Sequence, residues 1–207
     1  MSITLTWLGH ACFKLEQDGY ALVIDPYTKA QGYSEFTTPA NAVICSHSHG
    51  DHAFTEAVLL KNTEAESPFT ITALPTFHDG EGGALRGPNR IHLLETGGLR
   101  IAHCGDLGHM PDAETLAALG QLDVLMVPVG GHYTIDAATA HALIEALKPR
   151  VVIPMHFRRG ELGFPVLAEL GDFLALRADV VEAEGNSLEI AADMPPQTVA
   201  LQYMRPL

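Results

Sequence analysis

The sequence has few basic residues, and they form no long cluster. Its 207 residues include 12 Lys and Arg against 25 Asp and Glu, which gives a formal net charge of -13. The longest basic cluster is Arg158-Arg159. Because nucleic-acid-binding proteins usually contact phosphates with clustered Lys and Arg, this composition disfavours a nuclease. It does not exclude one, since two bound divalent cations would offset about four units of negative charge.

Cysteine is also scarce, and long apolar runs are lacking. Three cysteines, Cys12, Cys45 and Cys104, lie far apart in apolar, strand-like segments. An odd, dispersed count argues against a disulfide framework and fits a reducing compartment. No segment approaches the roughly 20 apolar residues of a membrane-spanning helix. Residues 1–10 lack the basic and apolar blocks of a signal peptide. We therefore expect a cytoplasmic protein with no membrane partner.

Short apolar runs separated by turn residues predict a strand-rich chain. Strands are expected over residues 3–8, 11–16, 20–24, 41–45, 69–74, 90–95, 99–104, 122–127, 151–154 and 188–190. Helices are expected over residues 53–60, 111–119, 136–147 and 165–176, with Asp136 as an N-cap. Strands and helices alternate in the second half, which predicts two sheets covered by helices. Because we find no linker or clear repeat, one domain over residues 1–207 is expected.

Histidine is abundant, and its densest cluster has the spacing of metal ligands. There are 11 histidines, and three of them fall in the run His47-Ser48-His49-Gly50-Asp51-His52. Imidazole nitrogens and carboxylate oxygens are the ligands that Zn²⁺ and similar ions take. Composition counting gives an expectation on the order of 0.001 for this pattern, so a solvated polar loop explains it poorly. Two histidines at i and i+2 can hold one ion, while Asp51 and His52 turn toward a second.

Three further residues can complete two metal sites. His78, Asp106 and His156 each follow the end of a strand-like run, where loop residues converge on a site. A catalytic ion takes about three protein ligands and a water. Two ions therefore need more ligands than the four in the cluster, and these three residues would supply the rest. For an isolated histidine at a strand end, a capping or surface role would be the better interpretation. Four segments in one pattern favour metal ligation.

These residues, in this order, resemble the metallo-β-lactamase superfamily. The pattern runs His47-x-His49-x-Asp51-His52, His78, Asp106 and His156, preceded by Asp25, and covers nearly the whole chain. Five short segments resemble more closely the small single-domain branch of the superfamily, which includes ascorbate-6-phosphate lactonase-like and other zinc-dependent hydrolases. These segments are Gly9-His10, Asp25-Pro26-Tyr27, Gly105-Asp106, Pro128-Val129-Gly130-Gly131 and Ile153-Pro154-Met155-His156. The resemblance implies an α+β fold, a four-layer αββα sandwich with the metals at one edge.

The resemblance also implies a role for each ligand. The first metal would be held by His47, His49 and His78, the second by Asp51, His52 and His156, with Asp106 bridging and Asp25 orienting the ligand loop. Two divalent ions are expected, zinc foremost, with manganese or iron as alternatives. A shared water, activated near neutral pH, would attack a lactone, ester or phosphodiester bond. Asp51 and Asp106 are the expected catalytic carboxylates.

Four other residues are candidates for the catalytic or substrate-binding site. His10 is an expected proton donor or substrate contact, with structural packing as an equal alternative. Arg86, in a glycine-rich loop, either binds an anionic substrate group or is a solvated loop residue. His132 and Tyr133 lie in a loop that the resemblance brings near the metals. The expected partner is a small molecule, and the oligomeric state is left open.

Three alternatives to a small-molecule hydrolase are less consistent with the sequence. A metal-binding or regulatory protein that had lost activity would usually lack ligands, and every expected ligand is present. A nuclease of this fold normally adds a basic domain or arm, which this sequence lacks. Ser48 stands where the related flavodiiron oxidoreductases carry Glu, and this departure argues against a redox role.

Overall fold

Strands dominate the fold, as the short apolar runs predict. The computed structural model describes residues 2–61 and 64–205. Its strands are β1 (Ile3–Gly9), β2 (Cys12–Gln17), β3 (Tyr20–Ile24), β4 (Thr38–Ala40), β5 (Ala42–Ile44), β6 (Val58–Leu60), β7 (Thr70–Phe77), β8 (Pro88–Thr96), β9 (Leu99–His103), β10 (Val124–Pro128), β11 (Val151–Met155), β12 (Val180–Glu182), β13 (Ser187–Ile190) and β14 (Gln197–Ala200). Its helices are α1 (Ala113–Leu119), α2 (Ala137–Leu147) and α3 (Leu170–Leu174), with a 3-10 helix at Thr55–Ala57. None of the described helices is long and apolar enough to cross a membrane.

Two large sheets organise these strands. One has five strands in the order β13-β1-β2-β3-β5, and the other has seven in the order β12-β14-β11-β10-β9-β8-β7. In the larger sheet β9, β10, β11, β14 and β12 run parallel, whereas β7 and β8 add an antiparallel hairpin. Strands β4 and β6 form a separate parallel pair. The parallel strands bring several loops to one edge of the sheet.

One apolar cluster joins the two sheets. Strand β1 alternates buried and half-buried positions, and it contributes Ile3, Leu5 and Trp7. Strands β10 and β11 are buried throughout, which is typical of parallel strands covered on both faces. Helix α2 packs on the same cluster through Leu143 and Ile144. The predicted α+β class is therefore confirmed.

The other face of the five-stranded sheet carries a smaller apolar cluster. Cys12, Ala21 and Val23 of this sheet pack with Tyr27 and Phe36 from the segment that follows β3. The 3-10 helix and β6 contribute the rest of the layer. This outer layer is built mainly from extended chain, whereas the described α-helices all follow β9 in the chain.

The helix predicted over residues 53–60 is wrong. The chain there forms the short 3-10 helix and then strand β6. Pairing with β4 explains the difference, because β6 runs parallel to it and the Lys61 N–H donates to the Ala40 carbonyl. The apolar residues of this segment satisfy their backbone groups in a strand pair instead of a helix.

The helix predicted over residues 165–176 is much shorter than expected. Only α3 is α-helical, because the chain before it bonds to other loops. The Ala168 N–H donates to the Gly130 carbonyl, and the Leu170 N–H donates to the Arg158 carbonyl. These bonds commit backbone groups that a helix would need.

Strand β7 continues past Pro75, where the sequence pattern predicted its end. It is the edge strand of the larger sheet, and an edge position tolerates the N–H that proline lacks. The extension carries the strand to Phe77, so that His78 follows its last residue directly. The short strands β4, β12 and β14 were not predicted.

Candidate metal centre

The predicted ligands meet at one edge of the sheets. His47 follows β5, His78 follows β7, Asp106 follows β9 and His156 follows β11. His47, His78, Asp106 and His156 are all buried, whereas His49 is exposed. The four segments that the sequence pattern singled out therefore lie together.

The histidine and aspartate side chains form two groups around Asp106. In each group the candidate ligand atoms lie within 4.8 Å of one another; the first contains His47, His49 and His78, and the second His10, Asp51, His52 and His156. A third such group, Asp25 with His47 and His52, shares one member with each of them. The Asp106 carboxylate lies 3.0 Å from Nε2 of His78, 3.2 Å from Nε2 of His52 and 3.3 Å from Nε2 of His156. Asp106 thus contacts members of both groups, and His10 joins the second.

Asp25 is hydrogen-bonded to the loop that carries His47 and His52. Its carboxylate accepts hydrogen bonds from the Ser46 backbone N–H and hydroxyl, each at 2.6 Å. Its Oδ2 also lies 2.9 Å from Nδ1 of His52, and Ser46 Oγ lies 2.9 Å from Nδ1 of His47. Burial would raise the pKa of Asp25, but the bonds to His52 and Ser46 and the nearby His103 lower it to about 2. An ionised Asp25 therefore orients both imidazoles with Nε2 free to bind a metal.

His78 and Asp106 are held in a comparable way. Nδ1 of His78 lies 3.1 Å from the Tyr133 carbonyl, which leaves its Nε2 toward Asp106. The Asp106 N–H donates to Oδ1 of Asn89 at 3.0 Å. Asn89 in turn donates to Thr76 Oγ1 and to the Cys104 carbonyl. Ligands from different loops are thereby fixed by hydrogen bonds to their own surroundings.

The donor set fits divalent cations. Among the described residues, buried atoms without a hydrogen-bond partner include Nε2 of His47 and both ring nitrogens of His10. Nε2 of His52 and Oδ1 of Asp106 lie 3.2 Å apart as an ion-pair contact, but neither atom makes a hydrogen bond of good geometry. A buried polar atom left unpaired costs about 1–3 kcal/mol, and a cation bound to these lone pairs would offset that cost. The site also combines imidazole nitrogens with carboxylate oxygens, which suits zinc, manganese and iron.

The protonation tendencies agree with that fit. Burial lowers the pKa of His47 to about 3 and the pKa of His10 to about 4, so both imidazoles are neutral near pH 7, as ligation requires. Burial also acts to lower the pKa of His52, but Asp106 and Asp25 outweigh it and raise that pKa well above its ordinary value. Asp106 and Asp25 therefore favour positive charge at His52, where a bound cation would supply it instead of a proton.

Unusual backbone conformations mark the same loops. His10, Asp25 and His156 have φ values of 52°, 51° and 53°, in the left-handed region that non-glycine residues rarely adopt. A Cβ at Gly130 would lie 2.2 Å from the His156 carbonyl oxygen, so only glycine allows this loop to pack against the ligand. Such strain is maintained by the surrounding structure and is common at functional sites.

A pocket of about 290 Å³ opens beside the ligand groups. Its lining residues are His49, Asp51, His78, Arg86, Asp106, Tyr133, His156 and Phe164. The Arg86 guanidinium lies 5.5 Å from the centre of the Tyr133 ring, which is stacking distance for a cation and an aromatic face. Phe164 packs edge-on to both Tyr133 and His10. Candidate metal ligands thus form one side of the pocket, and aromatic and cationic groups the other.

Two predicted contacts lie outside this lining. His132 is exposed and packs against the Tyr133 ring. His10 is fully buried behind the pocket, with Nε2 3.5 Å from Oδ2 of Asp51 and its ring 4.4 Å from that of His156. Its position places it against the second ligand group, not at the pocket surface.

Sequence reasoning missed four residues that shape the site. Ser46 links Asp25 to His47, Asn89 holds Asp106, Phe164 lines the pocket and Asp79 organises the loop that carries Arg86. Ser46 and Asp79 could have been predicted as site residues, because each is adjacent to a predicted ligand in the sequence. Asn89 and Phe164 are not adjacent to any predicted ligand in sequence, and the fold brings them to the site.

The family comparison defines the class of protein. The sequence model of the family described as Beta-lactamase superfamily domain matches residues 4–156. The chain therefore belongs to this superfamily. Curated relatives include UPF0173 metal-dependent hydrolases of Carboxydothermus hydrogenoformans and Hyperthermus butylicus, which are 27% and 30% identical to it. The first alignment covers 82% of this chain and 89% of the relative, and the second 78% and 84%.

Solved structures agree with that assignment. A protein from Thermotoga maritima, assigned to the Zn-dependent hydrolases of the metallo-β-lactamase superfamily, is 32% identical with a TM-score of 0.77, covering 98% of this chain and 100% of that one. Igni18, a metallo hydrolase from Ignicoccus hospitalis, shares the fold at 21% identity and a TM-score of 0.70, covering 92% and 99%. The predicted superfamily and fold class are confirmed, and the chain is a metal-dependent hydrolase. Its likeness to ascorbate-6-phosphate lactonases stays a prediction.

Proposed function

We propose that this protein is a binuclear hydrolase that cleaves a lactone, ester or phosphodiester bond of a small molecule. The observation that carries the proposal is the position of Asp106. Its carboxylate lies within 3.3 Å of histidines from both ligand groups, as a residue shared by two ions would. A site for a single ion would not need a carboxylate between two clusters of donors.

The two groups divide the ligands between the ions. His47, His49 and His78 would hold the first ion, and Asp51, His52 and His156 the second, with Asp106 between them. Zinc is the first candidate, and manganese or iron would accept the same donors. When bound, the ions would supply Lewis-acid activation of a water near neutral pH.

The protein's own side chains would orient the reacting groups. Asp51 is one-quarter exposed at the pocket, where its free carboxylate oxygen can accept a proton from water. His10 contacts Asp51 from the buried side, so we assign it a catalytic contribution through Asp51 and not through direct substrate contact. Asp25 would keep His47 and His52 in the ligating orientation.

The opposite side of the pocket would select the substrate. A volume of about 290 Å³ suits a small molecule, close to the lower end of the usual range for ligand sites. Arg86 is the one Lys or Arg among the described residues that line it, and it would bind an anionic substrate group. Tyr133 would pack against that group or donate a hydrogen bond to it. One basic side chain in the described pocket lining, together with the net charge of -13, favours a small molecule over nucleic acid as the substrate.

Metal content and turnover together test the proposal. We expect two equivalents of zinc, manganese or iron per chain by elemental analysis after reconstitution. We also expect hydrolysis of 4-nitrophenyl acetate, dihydrocoumarin or bis(4-nitrophenyl) phosphate that a chelator abolishes. His49→Ala removes a predicted ligand, and His141→Ala on α2 is a matched control outside the pocket. One equivalent in the reconstituted wild type would refute the binuclear assignment, and two equivalents without turnover of any ester, lactone or phosphodiester would favour a metal-binding protein.

A further inference from the structure

The loop that carries Arg86 is organised around one buried carboxylate. Asp79 is only 3% exposed, although it lies beside a pocket in a loop with many glycines. Its Oδ1 accepts the backbone N–H groups of Glu81 at 2.8 Å and Gly83 at 2.9 Å. Its Oδ2 accepts those of Leu85 at 3.0 Å and Arg86 at 2.7 Å. The last of these bonds reaches the residue whose side chain enters the pocket.

Little else in the loop can define its shape. Gly82 and Gly83 have positive φ values, and Leu85 is 69% exposed, so apolar packing contributes little. Two backbone bonds close the loop at its base, from the His78 N–H to the Gly87 carbonyl and from the Gly87 N–H to the Gly83 carbonyl, and one long bond within the loop joins the Ala84 N–H to the Glu81 carbonyl at 3.4 Å. Asp79, which accepts four N–H groups at 2.7–3.0 Å, therefore makes most of the hydrogen bonds that hold the tip of the loop.

The base of this loop is also joined to the metal ligands. A Cβ at Gly108 would lie 2.2 Å from the Asp79 backbone nitrogen, so the loop after Asp106 packs directly on this backbone. His78 precedes Asp79, and its ring contacts the Tyr133 carbonyl. The Tyr133 ring in turn lies under the Arg86 guanidinium. Asp79 thus connects the ligand His78 and the cation Arg86 through a short, hydrogen-bonded segment.

We propose that Asp79 is a positioning residue that fixes Arg86 against Tyr133 at a set distance from the metal ligands, and thereby gives the pocket its preference for substrates with an anionic group. The kinetic part rests on the proposed function, in which Arg86 binds that group. A preorganised guanidinium binds an anion more tightly than a mobile one because less conformational entropy is lost on binding. A flexible loop would leave the same charge near the pocket without that preference.

Amide hydrogen exchange tests the positioning without any substrate or turnover. In the wild type, the amides of Glu81, Gly83, Leu85 and Arg86 should exchange at least about tenfold more slowly than that of Gly82, whose N–H donates to no described residue. Asp79→Asn replaces one acceptor oxygen with a donor, so two of the four N–H groups lose their acceptor and should lose their protection. Equal exchange rates in the wild type, or unchanged protection in the variant, would overturn the proposal, and the wild-type comparison needs no variant to fold.

Paired esters test the consequence for selectivity. The probes are 4-nitrophenyl acetate, which is neutral, and mono-4-nitrophenyl succinate, which carries a carboxylate. Asp79→Asn should lower kcat/KM for the anionic ester about tenfold more than for the neutral one, mainly through KM. Asp112→Asn, at a helix cap that accepts one backbone N–H, is the matched control and should change both esters alike. Equal loss on both esters in Asp79→Asn would mean a merely structural role and would refute the positioning.

A double-mutant cycle separates this proposal from the proposed function. Because Asp79 acts through Arg86, Asp79→Asn should add no further loss of selectivity in an Arg86→Ala background. Additive losses would overturn the inference while leaving Arg86 as a substrate contact. If Arg86→Ala itself does not change the ratio between the two esters, the anionic-substrate assignment and the selectivity role of Asp79 both fail, whereas the binuclear centre is judged separately by metal content.

Discussion

The two sides of the pocket differ in how their side chains are held. The ligand wall, made of the predicted ligands His47, His49, Asp51, His52, His78, Asp106 and His156, is mostly buried, and three of its imidazoles are held by a hydroxyl, a carboxylate or a carbonyl. The recognition wall, made of Arg86, Tyr133 and Phe164, is half-buried and rests on loops. Under the proposed function, the reactive geometry would therefore depend on buried side chains held by hydrogen bonds, and selectivity on the conformation of half-buried loop residues. Substitutions in the two walls should therefore change different kinetic constants.

The largest effect should come from the ligand wall, at Asp106. Asp106→Asn keeps the shape of the side chain but removes a charge that faces His52, His78 and His156. Because metal catalysis contributes several kcal/mol, kcat should fall about a thousandfold, with loss of at least one metal equivalent per chain. Elemental analysis and steady-state kinetics on the same preparation measure both quantities. Full metal content with turnover within tenfold of wild type would show that Asp106 does not join the two groups.

A smaller and different effect is expected in the recognition wall, at Arg86. Arg86→Ala should raise KM for mono-4-nitrophenyl succinate about tenfold with little change in kcat, because one charge-assisted contact contributes about 1.5–3 kcal/mol. Arg86→Lys keeps the charge but loses the planar stacking on Tyr133, so it should recover only part of the affinity. A fall in kcat comparable to that of Asp106→Asn would erase the distinction between the two walls.

The smallest effect is expected behind the recognition wall, at Asp136. Its side chain caps α2 by accepting the Thr139 N–H at 2.8 Å, just after the loop that carries Tyr133. Asp136→Ala should lower the free energy of unfolding by about 1 kcal/mol at pH 7 and the Tm by about 2–4 °C. KM should change little, since the cap does not enter the pocket.

The pH dependence of that cap has a definite sign. The backbone bond from Thr139 holds the pKa of Asp136 below its ordinary value of 3.8, so the folded state favours the ionised form. Its contribution is complete above the ordinary pKa and is lost as the pH falls through the lower, folded value. Thermal unfolding of wild type and Asp136→Ala should therefore converge as the pH is lowered below 3.8. A difference in Tm that grows toward acid pH would contradict this assignment.

Predictions of secondary structure from local sequence patterns are correct where the structure of a segment depends mainly on its own residues. Helix α2 begins after Asp136, as its capping pattern predicts, and the hairpin of β8 and β9 turns at Gly97-Gly98. They failed at residues 53–60 and 165–176, because strand pairing with β4 and hydrogen bonds to Gly130 and Arg158 used those backbone groups. Long-range pairing overrides local helix preference when it satisfies the same donors and acceptors.

The sequence by itself determined which residues could bind metal, because ligand chemistry depends on residue type and on the spacing within His47-Ser48-His49-Gly50-Asp51-His52. It also pointed to His78, Asp106 and His156 as strand-end residues. Only the tertiary structure decided that Asp106 contacts both groups, that His10 lies buried behind Asp51 and that the exposed His132 is outside the pocket lining. It alone placed the four N–H donors of one loop around Asp79. The first three facts depend on distances between residues far apart in the chain, which strand order and loop packing set. The Asp79 bonds are local, but they depend on the backbone conformation of the loop, which residue type alone does not specify.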